Sequence, residues 1–195
     1  KLNARIFFQN VYKKIKKRSE LLTVSRFAKE KDLPLLLKMF SKLVRLNPNF
    51  NLTLAGYGPE KENLVHYAYQ VLNLSEAQVL FVERPSKNQI KQLYWDCDLF
   101  IFASMAETQG LVLAEAMACG TPVVALAGPG QNDLIINGKN GFLVKNLDEM
   151  VDVIQLIACD LKLHQNMQKA ALEAGKSYDP NLLARRLIDF YQQII

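Results

Sequence analysis

Six short apolar runs punctuate this chain, and each is followed by a stretch whose apolar residues recur at helical spacing. The runs are L-L-T-V-S at 21–25, N-L-T-L-A at 51–55, V-L-F-V at 79–82, D-L-F-I-F-A at 98–103, T-P-V-V-A-L at 121–126 and G-F-L-V at 141–144. A strand that is apolar without alternation must be covered on both faces, which is the signature of a parallel sheet sandwiched by helices. The intervening stretches supply the cover. Leu33, Leu36, Leu37, Phe40, Leu43 and Val44 form one helical stripe ending near Asn47-Pro48. Leu64, Tyr67, Ala68 and Val71 form the inner face of a second helix, opened by G-Y-G-P-E with Pro59 near its first turn. Further helices are predicted from about Ser86 to Trp95, after the Glu107 segment, through Ile136, and at about 147–159, 162–175 and 180–194. The pattern predicts an α/β fold, a doubly wound Rossmann-like parallel sheet of about six strands.

Charge is distributed unevenly along this frame. Of the 24 lysines and arginines, seven fall in residues 1–18 with no acid among them, which leaves 17 bases against 19 acids in the remainder. The net charge of +5 therefore belongs to a leader, taken as residues 1–19, and not to the domain at 20–195. That distribution argues against nucleic acid as a partner. Within the leader Phe8, Val11, Tyr12 and Ile15 recur at helical spacing opposite lysines. A solvated linker is one reading, and attraction to an anionic membrane surface is the other.

No apolar run reaches the roughly 18 residues that a membrane span needs. Cys97, Cys119 and Cys159 are odd in number and lack C-x-x-C spacing, which suits buried thiols in a reducing cytoplasm better than a disulfide framework or a zinc site.

In sheets of this class ligands bind beyond the carboxyl ends of the strands. The loops there carry two cations, Arg26 and Lys31, glycines at 56, 58, 110, 128 and 130, and two glutamates, Glu107 and Glu115, eight positions apart. Glu107 is expected in the loop before a helix and Glu115 within it, so that both address one ligand. The G-Y-G turn lacks the third glycine of a dinucleotide fingerprint, and no P-loop or nucleophile elbow is present. With only His66 and His164, both on expected helix surfaces, a hydrolytic triad has little support. Cations, a glycine loop and paired carboxylates suit a ligand with a diphosphate and several hydroxyls, such as a sugar nucleotide. N–H groups at the helix start near Gly110 would donate to phosphate oxygens. Asp98 is expected as a strand-end hydrogen-bonder and Asp133 as a cap or loop ligand.

The ordered motifs V-S-R-F-A-K-E-K, L-A-G-Y-G-P-E-K-E-N-L, D-L-F-I-F-A-S-M-A-E-T-Q-G-L-V-L-A-E-A-M-A-C-G-T-P-V-V-A and N-G-F-L-V, from about Leu21 to Tyr191, resemble the C-terminal donor-binding domain of retaining GT-B glycosyltransferases of family 4. The third segment carries the E-x7-E signature of that family. The resemblance implies catalytic roles for Glu107, holding donor-sugar hydroxyls, and for Arg26 and Lys31, holding the diphosphate. It implies donor binding by Glu115 at the ribose, by the backbone of Gln109, Gly110 and Leu111 at the phosphates, and by Gly56 and Arg84 nearer the base. It implies no metal and no cofactor beyond the nucleotide-sugar substrate.

The chain departs from the family's pattern at Ser25, where glycine is usual, at Ala103, where proline is usual, and at Glu83-Arg84. The E-T-Q-G variant is similar to that of some membrane glycolipid glucosyltransferases that use UDP-glucose. An enzyme of this kind needs a second, N-terminal acceptor domain, which the resemblance does not cover. A non-catalytic nucleotide-binding module, or a GT-B-like epimerase or phosphorylase, would share the same fold.

Overall fold

The computed structural model describes residues 19–105 and 109–178. The predicted leader, Glu107 and the predicted helix at 180–194 lie outside the described residues. Six strands form one parallel sheet: β1 Ser19–Arg26, β2 Phe50–Tyr57, β3 Val79–Glu83, β4 Leu99–Phe102, β5 Val123–Leu126 and β6 Gly141–Val144. Their spatial order is β3-β2-β1-β4-β5-β6, so the chain moves outward from the middle, returns, and moves outward on the other side. The switch point between β1 and β4 is where a crevice opens in sheets of this order. β1 pairs with β2 along its full length, from Ser19 opposite Phe50 to Arg26 opposite Tyr57, whereas β1 and β4 share only the register of Leu21 with Leu99 and Leu22 with Phe100.

The helices are α1 Leu33–Leu46, α2 Lys61–His66, α3 Lys87–Asp96, α4 Leu111–Ala118, α5 Pro129–Asn132, α6 Leu147–Cys159 and α7 Leu161–Lys176. One face of the sheet buries Leu21, Leu52 and Leu54 against Leu36, Leu37 and Phe40 of α1 and Ile154 of α6. The other buries Leu22, Phe100 and Phe102 against Tyr94 of α3, Leu113 and Met117 of α4 and Ala171 of α7. Both faces of the strands are thus apolar, as the unalternating runs require. Each fully buried leucine or phenylalanine contributes about 1.5–3 kcal/mol.

Local signals explain several boundaries. Ser86 caps α3 by accepting from the backbone N–H of Gln89, whose side chain accepts the Ser86 N–H in return, a reciprocal capping box. Asn146 and Asp160 cap α6 and α7 in the same one-sided manner, each accepting from the N–H three residues on.

Three expectations are corrected. Val71 is exposed, not buried, because Tyr67–Val71 winds as a π-turn in which Leu72 N–H reaches back to the Tyr67 carbonyl at 2.9 Å. The extra residue rotates Val71 outward and brings Leu72 toward the core. The helix expected through Ile136 stops at Asn132, since the Asn140 side chain takes the Ile136 N–H at 2.7 Å and donates to the Leu134 carbonyl at 3.0 Å. Of the cysteines only Cys97 is buried, with burial pushing its thiol up to about 12, while Cys119 and Cys159 are half-buried.

Candidate functional site

β1, β2 and β3 end side by side, and their last residues and the loops beyond open a cavity of about 630 Å³. Val24, Ile90, Val112 and Pro85 provide apolar walls, and Ser25, Arg26, Gly56, Tyr57 and Arg84 provide the rim. Three sequence-predicted residues, Arg26, Gly56 and Arg84, are therefore brought together.

The backbone at this rim is crowded. Gly56 and Gly58 both have φ of +154°, and a Cβ on them would stand 1.8 Å from the Ser25 carbonyl oxygen and 2.3 Å from that of Phe27. The exit of β1 runs directly over the G-Y-G turn, with Phe27 N–H donating to Tyr57 O at 2.7 Å and Glu60 N–H to Phe27 O at 3.0 Å. These glycines serve the crossing of two chain segments, which accounts for them without a dinucleotide fingerprint.

Arg84 sits in the left-handed region at φ +47°, where its N–H donates to the Gly56 carbonyl at 2.9 Å and its guanidinium lies 5.8 Å from the centre of the Tyr57 ring. Glu83 beside it pairs with Lys61, and that hydrogen bond holds the Glu83 carboxyl below its ordinary range. Arg26 pairs with Glu30, whose carboxyl is held low first by its backbone hydrogen bond and then by Arg26.

The loops after β4 and β5 form a second, tighter cluster. Lys31 ends the 3₁₀ turn Lys29–Lys31, and the Glu30 carbonyl of that turn accepts the Ser104 hydroxyl at 3.0 Å. The Ser104 carbonyl in turn accepts the Gln131 amide at 2.5 Å, and both residues are buried. Gly110 begins α4 at φ +64°, where a Cβ would stand 2.3 Å from Leu134 Cδ1 and 2.8 Å from the Gly130 carbonyl oxygen. Gln109 and Leu111 flank it with exposed side chains. None of Lys31, Gln109, Gly110, Leu111 or Glu115 lines the apolar cavity.

Glu115 is exposed on α4, three residues on from the cavity-lining Val112. Its Oε2 accepts the Tyr94 hydroxyl at 3.0 Å. Burial, then the Glu115 charge and this hydrogen bond, push the Tyr94 phenol far above its ordinary value, so it remains a donor. Neither Tyr94, Ser104 nor Gln131 was singled out as functional from sequence. For Tyr94 the available signal was a hydroxyl-bearing ring four residues after Ile90 on an otherwise apolar helix face, since a buried tyrosine needs a partner.

The remaining polar candidates have structural partners. Asp98 Oδ2 accepts the Glu20 N–H at 2.9 Å, and His164 Nε2 bonds the Asp98 carbonyl at 2.8 Å. Asp133 follows α5 as its C-terminal cap residue and is exposed. Among the described residues no helix is long and apolar enough to cross a membrane.

Comparison with known proteins places this crevice in context. The family described as glycosyl transferases group 1 matches residues 5–174. An uncharacterized glycosyltransferase of Haemophilus influenzae is 31% identical over 161 residues, covering 81% of this chain and 44% of the relative. An alpha-monoglucosyldiacylglycerol synthase of Streptococcus pneumoniae is 30% identical over 178 residues, covering 90% of this chain and 39% of the relative. The chain thus spans less than half the length of these relatives. The crystal structure of Anabaena HepE in complex with UDP superimposes with a TM-score of 0.80 at 24% identity, covering 95% of this chain and 55% of that one, which establishes the shared fold.

Proposed function

Because the chain belongs to the glycosyl transferases group 1 family, we propose that it is the donor-binding domain of a retaining glycosyltransferase, which moves a hexose from a UDP-sugar to an acceptor held by a further, N-terminal domain. The observation that carries this reading is the convergence of Arg26, Gly56 and Arg84 on one cavity at the carboxyl edge of the sheet, with Glu115 one helical turn beyond its wall. The base enters between Val24, Ile90 and Val112. Among the described residues no carboxylate lines that cavity, whereas guanine presents an N1–H and an amino group that a carboxylate would accept. That difference supports uracil over guanine.

Glu115 then accepts the ribose hydroxyls, and Arg26 and Lys31 meet the diphosphate. Their charges stabilise the leaving UDP as the glycosidic bond to phosphate breaks, which is electrostatic catalysis at the position where charge develops. The N–H groups around Gly110 contribute in the same sense. Glu107 accepts donor-sugar hydroxyls and orients the anomeric carbon, and no metal is needed where two cations hold the diphosphate. The glycolipid product in the name of the pneumococcal relative supports a membrane lipid as one class of acceptor, beside a glycolipid or a surface polysaccharide.

A melting panel tests the donor site. UDP and UDP-sugars are expected to raise the melting temperature, with GDP and ADP weaker, and the shift should fall to about half in Glu115→Ala and in Arg26→Ala. No shift with any nucleotide at about 100 times a micromolar Kd, where binding would add about 2.7 kcal/mol, sinks the proposal. For the leader, co-sedimentation with anionic vesicles should weaken with salt and disappear when residues 1–18 are removed.

A further inference from the structure

We propose that Tyr94 is a positioning residue for nucleotide recognition: its buried hydroxyl holds Glu115 Oε2 so that Oε1 is presented to the ribose. This rests on the reading of Glu115 as the ribose acceptor. Tyr94 lies on α3 one turn beyond Ile90, and Glu115 lies on α4 one turn beyond Val112. Ile90 and Val112 both line the cavity, so the Tyr94–Glu115 pair continues the same seam between the two helices.

The two partners are held very differently. Tyr94 is 2% exposed, its ring rests 5.6 Å from that of Phe100 at 48°, and its carbonyl accepts the Thr121 hydroxyl at 2.6 Å. These contacts hold its hydroxyl in place independently of Glu115. Glu115 is an exposed side chain with three rotatable bonds on a helix of eight residues, and without an anchor it would sample several rotamers. The hydroxyl also lies 3.3 Å from the Val112 carbonyl, but its single proton is drawn to the closer, charged carboxylate. One Glu115 oxygen is thereby spent on the protein and the other is aimed outward. Ordering the carboxylate before the nucleotide arrives reduces the entropy lost on binding. A phenylalanine would fill the same space, so packing alone does not account for the hydroxyl.

The test is a ligand cycle on the whole 195-residue chain, by calorimetric titration with UDP and with 2′,3′-dideoxy-UDP. The unaltered chain is expected to bind UDP about tenfold tighter than the dideoxy nucleotide. Tyr94→Phe should weaken UDP about fivefold and leave dideoxy-UDP unchanged, and Tyr94→Phe with Glu115→Gln should be no weaker than Glu115→Gln alone. A loss that is equal for both nucleotides, or no loss for either, overturns the proposal, because a purely structural tyrosine would not distinguish ribose hydroxyls. Should Tyr94→Phe fail to fold, the ¹³Cζ resonance of Tyr94 in the unaltered chain decides. It should move on addition of UDP but not of dideoxy-UDP, and a resonance indifferent to both overturns the role. An unaltered chain that binds both nucleotides equally rejects the ribose role of Glu115 and this proposal with it. One that binds neither rejects the donor site itself.

Discussion

The loops that follow β1 to β3 and those that follow β4 and β5 meet at one edge of the sheet, yet they are built on opposite principles. In the first half the cations are on the surface: the side chains of Arg26 and Arg84 are 61% and 78% exposed. Arg26 has Glu30 as its protein partner and Lys61 has Glu83. Surface ion pairs of this kind hold little net stability, so a phosphate can replace the carboxylate at small cost. In the second half the bracing groups are buried and neutral, with Ser104 joining the Lys29–Lys31 turn to the β4 loop and Gln131 joining that loop to α5. Buried charges there would carry a large desolvation penalty, whereas neutral hydrogen bonds fix geometry at a smaller one, borne here at Gln131 Oε1, which has no hydrogen-bond partner among the described residues. The difference teaches that the cations which the proposed donor site would offer a ligand are left in exchangeable surface pairs, while the loops beside them are braced by buried hydrogen bonds.

The comparison is broken most severely at Gly56, where the first half is rigid in its backbone even though its side chains are free to exchange. Gly56→Ala places a methyl 1.8 Å from the Ser25 carbonyl in a conformation that disfavours side chains, and should destabilise the chain by about 3 kcal/mol in urea unfolding. A loss below 1 kcal/mol would mean that the crossing of β1 over the G-Y-G turn is loose. Arg26→Ala is the complementary case. It should lower UDP affinity about tenfold in titration calorimetry and leave the unfolding midpoint unchanged. If stability fell instead of affinity, the arginine would be a structural ion pair and not an exchangeable one.

Ser104→Ala should do the reverse, costing about 1–2 kcal/mol in unfolding because the buried Glu30 link is lost, with only a small effect on UDP affinity. An unchanged midpoint would remove the bracing role. The smallest effect concerns Glu83. Its folded carboxyl titrates below the ordinary 4.5 because Lys61 donates to it, so its contribution is complete above that pH and is lost as pH falls through the lower folded value. Lys61→Met should therefore make the acid limb of the stability–pH curve slightly shallower below about pH 4.5, read from urea midpoints. An identical limb would show that the pair is too exposed to matter.

Much of the fold was legible because it depends on periodicity. The runs at 51–55, 79–82 and 141–144 fall within β2, β3 and β6, and the stripe from Leu33 to Val44 lies within α1. Val71 was misplaced because a π-turn adds a residue that a period of 3.6 does not anticipate. In the candidate site, the residues that end strands were legible, since strand order alone brings Arg26, Gly56 and Arg84 to one edge. Tyr94, Ser104 and Gln131 were not, because their partners stand 21, 74 and 27 residues away in sequence. A hydroxyl or an amide in an apolar neighbourhood announces that it needs a partner, but not which one.

The sequence by itself determined that this chain is a covered parallel sheet, and that the candidate binding residues, cations and carboxylates, follow the carboxyl ends of its strands. These follow from local facts, the apolar runs and the residues immediately after them. Tertiary structure alone decided that the G-Y-G glycines serve a chain crossing, that Arg84 is turned over Tyr57, and that Glu115 leans on Tyr94. Each of these is a contact between segments distant in the chain, and its energy depends on distances that only the packed sheet and its helices set.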